Sequence, residues 1–257
     1  MKVNPATGNV FLSVARKQGG GMIAKVDRGG KVTELSLKDV PMAQLALSKT
    51  PSKPNPRNPV VTALAYTNGR LFIAGMSNEE FNSSFRSVEY PFKESDQITG
   101  VEIFHGAHGR WETASPVRTF TPFDIDGKSH ILAAYTCTPL VKFNVTDLKA
   151  GEKVKGTTVA ELGNMNQPLD MVVYKKDGKT FILIANTARG VMKVTTDGIG
   201  NAEAITTPIR GGGTAGLKYE TIKELTGVMQ LDKLSDTQAL LLVKTKDAQS
   251  LKTVDLP

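Results

Sequence analysis

In the stretch Tyr174-Lys175-Lys176-Asp177-Gly178-Lys179-Thr180-Phe181-Ile182-Leu183-Ile184-Ala185-Asn186, an Asp-Gly pair is followed within a few residues by an apolar run of strand length. Asp-Gly tolerates the positive φ angles of a two-residue hairpin turn, and a short run of Ile, Leu and Ala bounded by polar residues reads as a buried strand. The run is therefore the second strand of a hairpin whose first strand is Leu169–Tyr174.

The same unit recurs along the chain. Phe11-Leu12-Ser13-Val14-Ala15, Leu71-Phe72-Ile73-Ala74-Gly75, Ile131-Leu132-Ala133-Ala134-Tyr135 and Leu240-Leu241-Leu242-Val243-Lys244 are comparable runs. Each follows a turn-forming group: Pro5-Ala6-Thr7-Gly8-Asn9, Thr67-Asn68-Gly69, Asp126-Gly127 and Ser235-Asp236-Thr237. The second residues of the five runs are spaced 60, 60, 51 and 58 apart. Hairpin partners are expected at Val60–Tyr66, Val117–Phe123 and Gly227–Leu231, and third strands at Met22–Val26, Gly100–Phe104, Leu140–Val145, Val191–Thr195 and Leu251–Val254, with turns such as Asp27–Gly30, Gly106–Gly109 and Asp197–Gly200 leading into a more polar fourth strand.

Four antiparallel strands per roughly 45–60 residues, with almost no helical periodicity between them, are the pattern of propeller blades. The chain reads as all-β, a single β-propeller domain over residues 1–257 with about five recognisable four-stranded blades, the first and last incomplete. The blades fall at about 1–40, 58–115, 116–161, 166–208 and 225–257, with residues 76–98 as an insertion expected to fold over one face, and a short helix at Tyr219–Leu225. The ends admit two readings: a small ring closed by pairing the two ends, or a piece of a longer chain whose upstream blades and leader lie elsewhere; since an isolated arc leaves unpaired sheet edges, closure or self-association through the incomplete end blades is expected.

Composition narrows the function. No apolar run approaches the ~18 residues of a membrane helix, and Met1–Val10 has no signal-peptide core, so neither a membrane span nor an intact signal is expected, and the compartment stays open. One cysteine, Cys137, excludes an internal disulfide framework and multi-cysteine metal clusters. The 32 basic against 25 acidic residues are interleaved without a stripe or motif, so no nucleic-acid partner is expected.

At these turns and strand runs the sequence resembles the broad group of NHL-like, lactonase-like and quinoprotein-like β-propellers. It departs from WD40 and kelch patterns, and Trp111 is its one tryptophan where quinoprotein blades carry a recurring Trp motif, so neither PQQ nor haem is expected. The resemblance to lactonase-like propellers implies an axial divalent metal held by Asn, Asp and Glu that polarises an ester and activates water.

In a propeller the loops entering the innermost strands share one rim, here called the upper face, with the loops between strands two and three. Asn164, Asn166 and Asp170 precede or open one inner strand, and with Asn186 they supply the oxygen donors that calcium prefers. Asp170 and Glu79 are the candidate catalytic carboxylates; Asx turns are the bland alternative for this set. Arg16, Arg86, Arg189 and Arg210, with Arg57, are candidates to grip a carboxylate or phosphate through bidentate contacts. Cys137 reads as an inert core thiol. His105 and His108 flank a turn after the expected third strand, which places them on the lower face. Two classes follow: a metal-assisted hydrolase of small ester, lactone or phosphotriester substrates, or a non-catalytic propeller binding a protein partner or small anionic ligand on the same face.

Overall fold

A computed structural model describes residues 1–53 and 55–257. The first sheet is β1 (Lys2–Val3), β2 (Val10–Ala15), β3 (Gly21–Val26) and β4 (Val32–Glu34), and the second is β5 (Ala63–Thr67), β6 (Arg70–Met76), β7 (Ser83–Glu89) and β8 (Gln97–His105), with β9 (Arg110–Glu112) paired to the end of β8. The third begins as β10 (Val117–Ile125), β11 (Lys128–Tyr135) and β12 (Pro139–Asn144). The chain then lends β13 (Lys153–Lys155) to β8 as a parallel neighbour and returns as β14 (Thr157–Glu161). The fourth sheet is β15 (Pro168–Lys176), β16 (Lys179–Asn186) and β17 (Gly190–Thr195); after β18 (Ala215–Gly216), which pairs with β14, it is completed by β19 (Tyr219–Ile222). The fifth holds β20 (Val228–Lys233), β21 (Gln238–Lys244) and β22 (Gln249–Asp255).

These five consecutive antiparallel meanders are the blades of a β-propeller. The turns act as their residue types require: Asn68 and Gly69, Asp126 and Gly127, and Asp177 and Gly178 each take positive φ at paired positions, 50° and 74–75°. The apolar runs become β2, β6, β11, β16 and β21, and their buried side chains interlock the blades. Phe72, Phe85, Ile131 and Phe143 join blades two and three, Leu132, Ile182 and Met192 join three and four, and Leu183, Val191, Leu231 and Leu241 join four and five. The amino-terminal blade packs on the fifth through Val10, Val26 and Leu240. Gln230 and Asp232 of β20 accept hydrogen bonds from the Met1 amine (2.8 Å) and the Val3 amide (2.9 Å).

Two local expectations are corrected. The helix at Tyr219–Leu225 is instead strand β19, paired from Val191↔Ile222 to Val194↔Tyr219, because β17 needs an outer partner and helix propensity over a few residues is too weak to resist a ready sheet edge. Much of the insertion at 76–98 is likewise a strand, β7, which lies between β6 and β8 with Ala74↔Phe85 and Phe85↔Thr99 in register. Its aromatic Phe85 is 1% exposed and packs edge-on to Phe120 and Phe143 instead of covering a face. Gly100–Phe104 thus lies in the fourth strand of its blade, not the third, and β8 runs in the opposite direction to the one expected.

Candidate functional site

The upper face is where second strands end and inner strands begin, as the pairs Val117↔Tyr135 and Pro168↔Asn186 show. Because β7 reverses β8, the His105-Gly106-Ala107-His108 turn emerges on this face and not on the lower one. The turn meets the Thr136-Cys137-Thr138 connection of the next blade, and one ring nitrogen of each histidine and the Cys137 sulfur lie within 4.8 Å of one another. Among the described residues this is the group of His, Cys, Asp and Glu with metal-ligand spacing.

Glu112 on β9 organises the cluster. Nδ1 of His105 sits 2.9 Å from its Oε2 and Nδ1 of His108 lies 2.8 Å from its Oε1, while Arg110 Nε donates at 3.0 Å and the Ser115 hydroxyl also donates. Burial opposes the charge on Glu112, but the hydrogen bonds from His105, Ser115, His108 and Arg110 outweigh it and hold the carboxyl well below the usual carboxylate range. An ionised carboxylate only accepts, so each Nδ1 carries a proton, and the neutral tautomer of each ring has its lone pair on Nε2. The two ring centroids lie 3.8 Å apart with the planes tilted by 36°. His105 is 2% exposed, and its Nε2 has no hydrogen-bond partner among the described residues. A buried ring nitrogen without a partner is uncommon, since most buried polar atoms are satisfied.

Around the cluster, Gly106 leaves room for a carboxylate: a Cβ there would lie 2.8 Å from Glu161 Oε1. Glu161, at the upper end of β14, accepts from the Gly106 amide and is 1% exposed. Burial pushes its pKa from 4.5 to about 7, against the lowering effect of the Gly106 and Ala107 amides and with a smaller upward contribution from Glu112. Cys137 and Thr138 adopt φ of 62° and 60°, a left-handed backbone that costs non-glycine residues energy. The Cys137 amide donates to the Asn166 carbonyl at 2.7 Å, which joins this turn to the next blade's entry loop. Arg118, which the sequence pattern did not single out, bulges from the top of β10 with Nε donating to Thr136 at 2.9 Å and Nη1 to the Arg57 carbonyl at 3.1 Å.

The excursion between β17 and β18 edges the same site. Its Ile209 amide donates to the Gly106 carbonyl at 2.9 Å, and at Gly212 a Cβ would approach Asn164 Oδ1 to 2.9 Å, so exposed Arg210 stands between the histidine turn and Asn164. A groove of about 690 Å³ lies along this excursion, lined by Val159, Ile205, Ile209, Ala215 and Leu217 among others. A smaller cavity of about 160 Å³, with Arg70, Asp124 and His130 in its wall, lies at the other end of blades two and three.

The sequence-derived candidates divide. Arg189 donates to the Asn164 carbonyl at 3.2 Å, and both flank the upper rim near Arg210. Asn166 is buried, but its Oδ1 already accepts from the Ala188 amide at 3.0 Å. Asp170 uses Oδ1 on the Met171 amide and Oδ2 on the Leu231 amide of the next blade at 3.1 Å, and burial raises its pKa. Asn186 turns its amide nitrogen to the Ile184 and Gly190 carbonyls. Asn166 and Asp170 thus spend on backbone amides the oxygens expected for a calcium shell, whereas Asn186 Oδ1 is buried with no hydrogen-bond partner among the described residues. Glu79 pairs with Lys49 at 3.2 Å, and Arg16 with Glu34 at 2.5 Å, both on exposed loops. Arg86 does not face a ligand: it is 0% exposed, ion-paired to Asp96 at 3.0 Å and bonded to the Ser48 carbonyl, because β7 turns it into the blade and not onto a loop.

No protein-family model and no curated protein matches this chain. Among solved structures, an engineered GH43 glycoside hydrolase displaying both endo-xylanase and exo-arabinofuranosidase activity is similar over 98% of this chain and 49% of its own, with 12% identity and a TM-score of 0.44. Bacteroides ovatus Xyloglucan PUL GH43B is similar over 98% and 52%, with 13% identity and a TM-score of 0.40. The chain spans about half the length of these structures.

Proposed function

We propose that this protein is a metal-assisted hydrolase of small ester, lactone or phosphotriester substrates, acting on the upper face of the propeller. The observation that carries the reading is the convergence of His105, His108 and Cys137, from two blades, to within 4.8 Å of one another at a rim that also carries Arg118, Arg189 and Arg210. A metal bound by three protein donors with an open position polarises a carbonyl or phosphoryl oxygen and lowers the pKa of bound water. The arginines suit a negatively charged end of the substrate, since a guanidinium fork matches carboxylate and phosphate oxygens. Glu161, with its pKa near 7, is placed to exchange a proton close to neutrality.

The test is a panel of aryl ester, lactone and phosphotriester substrates assayed with metal-replete and chelated protein. Turnover that disappears on chelation and returns with metal supports the reading. A protein that binds metal yet turns over none of the three classes is a binding propeller, and the hydrolase reading then fails.

A further inference from the structure

We infer that the upper-face cluster is a zinc site in which Nε2 of His105, Nε2 of His108 and Sγ of Cys137 are the ligands and Glu112 is the outer carboxylate that orients both rings. This deepens the hydrolase reading, and its catalytic consequence rests on that reading.

The donor set selects the metal class. Calcium takes six to eight oxygens, whereas two imidazoles and a thiolate suit zinc and other thiophilic ions. A tetrahedral ion that binds nitrogen at about 2.0–2.1 Å and sulfur at about 2.3 Å holds its donors roughly 3.3–3.6 Å apart, so three atoms within 4.8 Å of one another need close by no more than about 1.5 Å to ligate it. Three protein ligands leave the fourth position for water or substrate, as catalytic zinc sites do.

The surroundings fit the assignment independently. Ligating histidines characteristically give their other ring nitrogen to a carboxylate, and here a single carboxylate receives Nδ1 of both, one on each oxygen. The Nδ1 bonds leave the Nε2 atoms of the two adjacent, tilted rings on the side away from Glu112. In the neutral tautomer the buried Nε2 of His105 is an acceptor with no hydrogen-bond partner among the described residues. Cys137 is the chain's one cysteine and is partly exposed at a turn, so its sulfur is reachable by an entering ion.

The experiment loads purified full-length protein with cobalt as a spectroscopic stand-in and with zinc for affinity. One equivalent of cobalt is expected to give the near-ultraviolet band of a thiolate–cobalt bond. Cys137→Ser should abolish that band, and His105→Ala should lower zinc affinity at least 100-fold. Glu112→Gln, which keeps the size but replaces one acceptor oxygen by an NH2 donor facing a histidine N–H, should lower affinity roughly 10–100-fold without removing the band. Far-ultraviolet circular dichroism and thermal melts establish that each variant is folded; Cys137→Ser, at a partly exposed turn, decides the matter should His105→Ala unfold. Absence of a thiolate band in wild type, or wild-type zinc affinity in folded Cys137→Ser, overturns the assignment. Zinc binding with no substrate turnover sustains the assignment and sinks the hydrolase reading. Turnover that calcium restores and Cys137→Ser leaves unchanged does the reverse.

Discussion

Two stretches of the same rim put their polar residues to different ends. At blades four and five, Asp170 and Asn166 spend their oxygens on the amides of Leu231, Met171 and Ala188, so they hold one blade to the next and brace a loop. At blades two and three, His105, His108 and Cys137 converge, and the hydrogen bonds around them fix the rings without consuming the Nε2 of His105. The two stretches differ in donor type, oxygens against imidazoles and a thiol, and in whether a donor or acceptor is already used by backbone. A polar residue at the mouth of a propeller is informative about ligands only once that accounting is done.

The division between structural and free polar groups can be broken by mutation, and the largest effect concerns a group fully committed to structure. Asp96→Ala strands the buried Arg86 guanidinium without its ion-pair partner and should cost about 3–5 kcal/mol in denaturant unfolding while leaving metal stoichiometry intact. Loss of metal in the folded variant would show that blade two's interior and its rim are not separable.

Glu161 lies between the two extremes, since it braces Gly106 yet holds a shifted proton. Its folded pKa of about 7 exceeds the ordinary 4.5, so the folded protein binds the proton more tightly. The associated stability is present below pH 4.5 and is lost as pH rises to about 7, beyond which the curve is flat. Across that window metal-free wild type should lose roughly 3 kcal/mol relative to Glu161→Gln, measured by urea titrations at several pH values. Parallel curves for the two proteins would return Glu161 to the ordinary carboxylates.

Asp170→Ala should lower stability by about 1–3 kcal/mol, because it leaves the Leu231 amide without its acceptor, and should not change metal affinity. A lost metal here would restore the oxygen shell expected from sequence and dissolve the contrast between the two stretches. The smallest effect has the opposite sign. Cys137→Gly relieves a φ of 62° and should gain roughly 1 kcal/mol in thermal unfolding of the metal-free protein, at the expense of the metal site. A destabilised Cys137→Gly would mean that the thiol is held by packing and not against backbone preference.

Much of the fold was legible in the chain because its determinants are local. Asn68-Gly69, Asp126-Gly127 and Asp177-Gly178 set hairpin turns by backbone preference, and the apolar runs beside them announce buried strands. The site was less legible, and the reason is β7. Ser83-Ser84-Phe85-Arg86-Ser87-Val88-Glu89 mixes polar and apolar residues without the alternation of a half-exposed strand, because six of its seven side chains are buried. Missing that strand reversed the direction assigned to β8 and sent the histidine turn to the wrong rim. The His-x-x-His pair with Glu112 four residues on was visible as a pattern, but its third donor stands 29 residues beyond His108 on another blade.

The repeated hairpins and the all-β propeller class were written in the chain alone, since turn φ preferences and strand-length apolar runs act over a few residues. Which polar atoms remain free at the rim emerged only in the assembled molecule. That depends on the direction of every intervening strand and on backbone partners from neighbouring blades, which no local preference encodes.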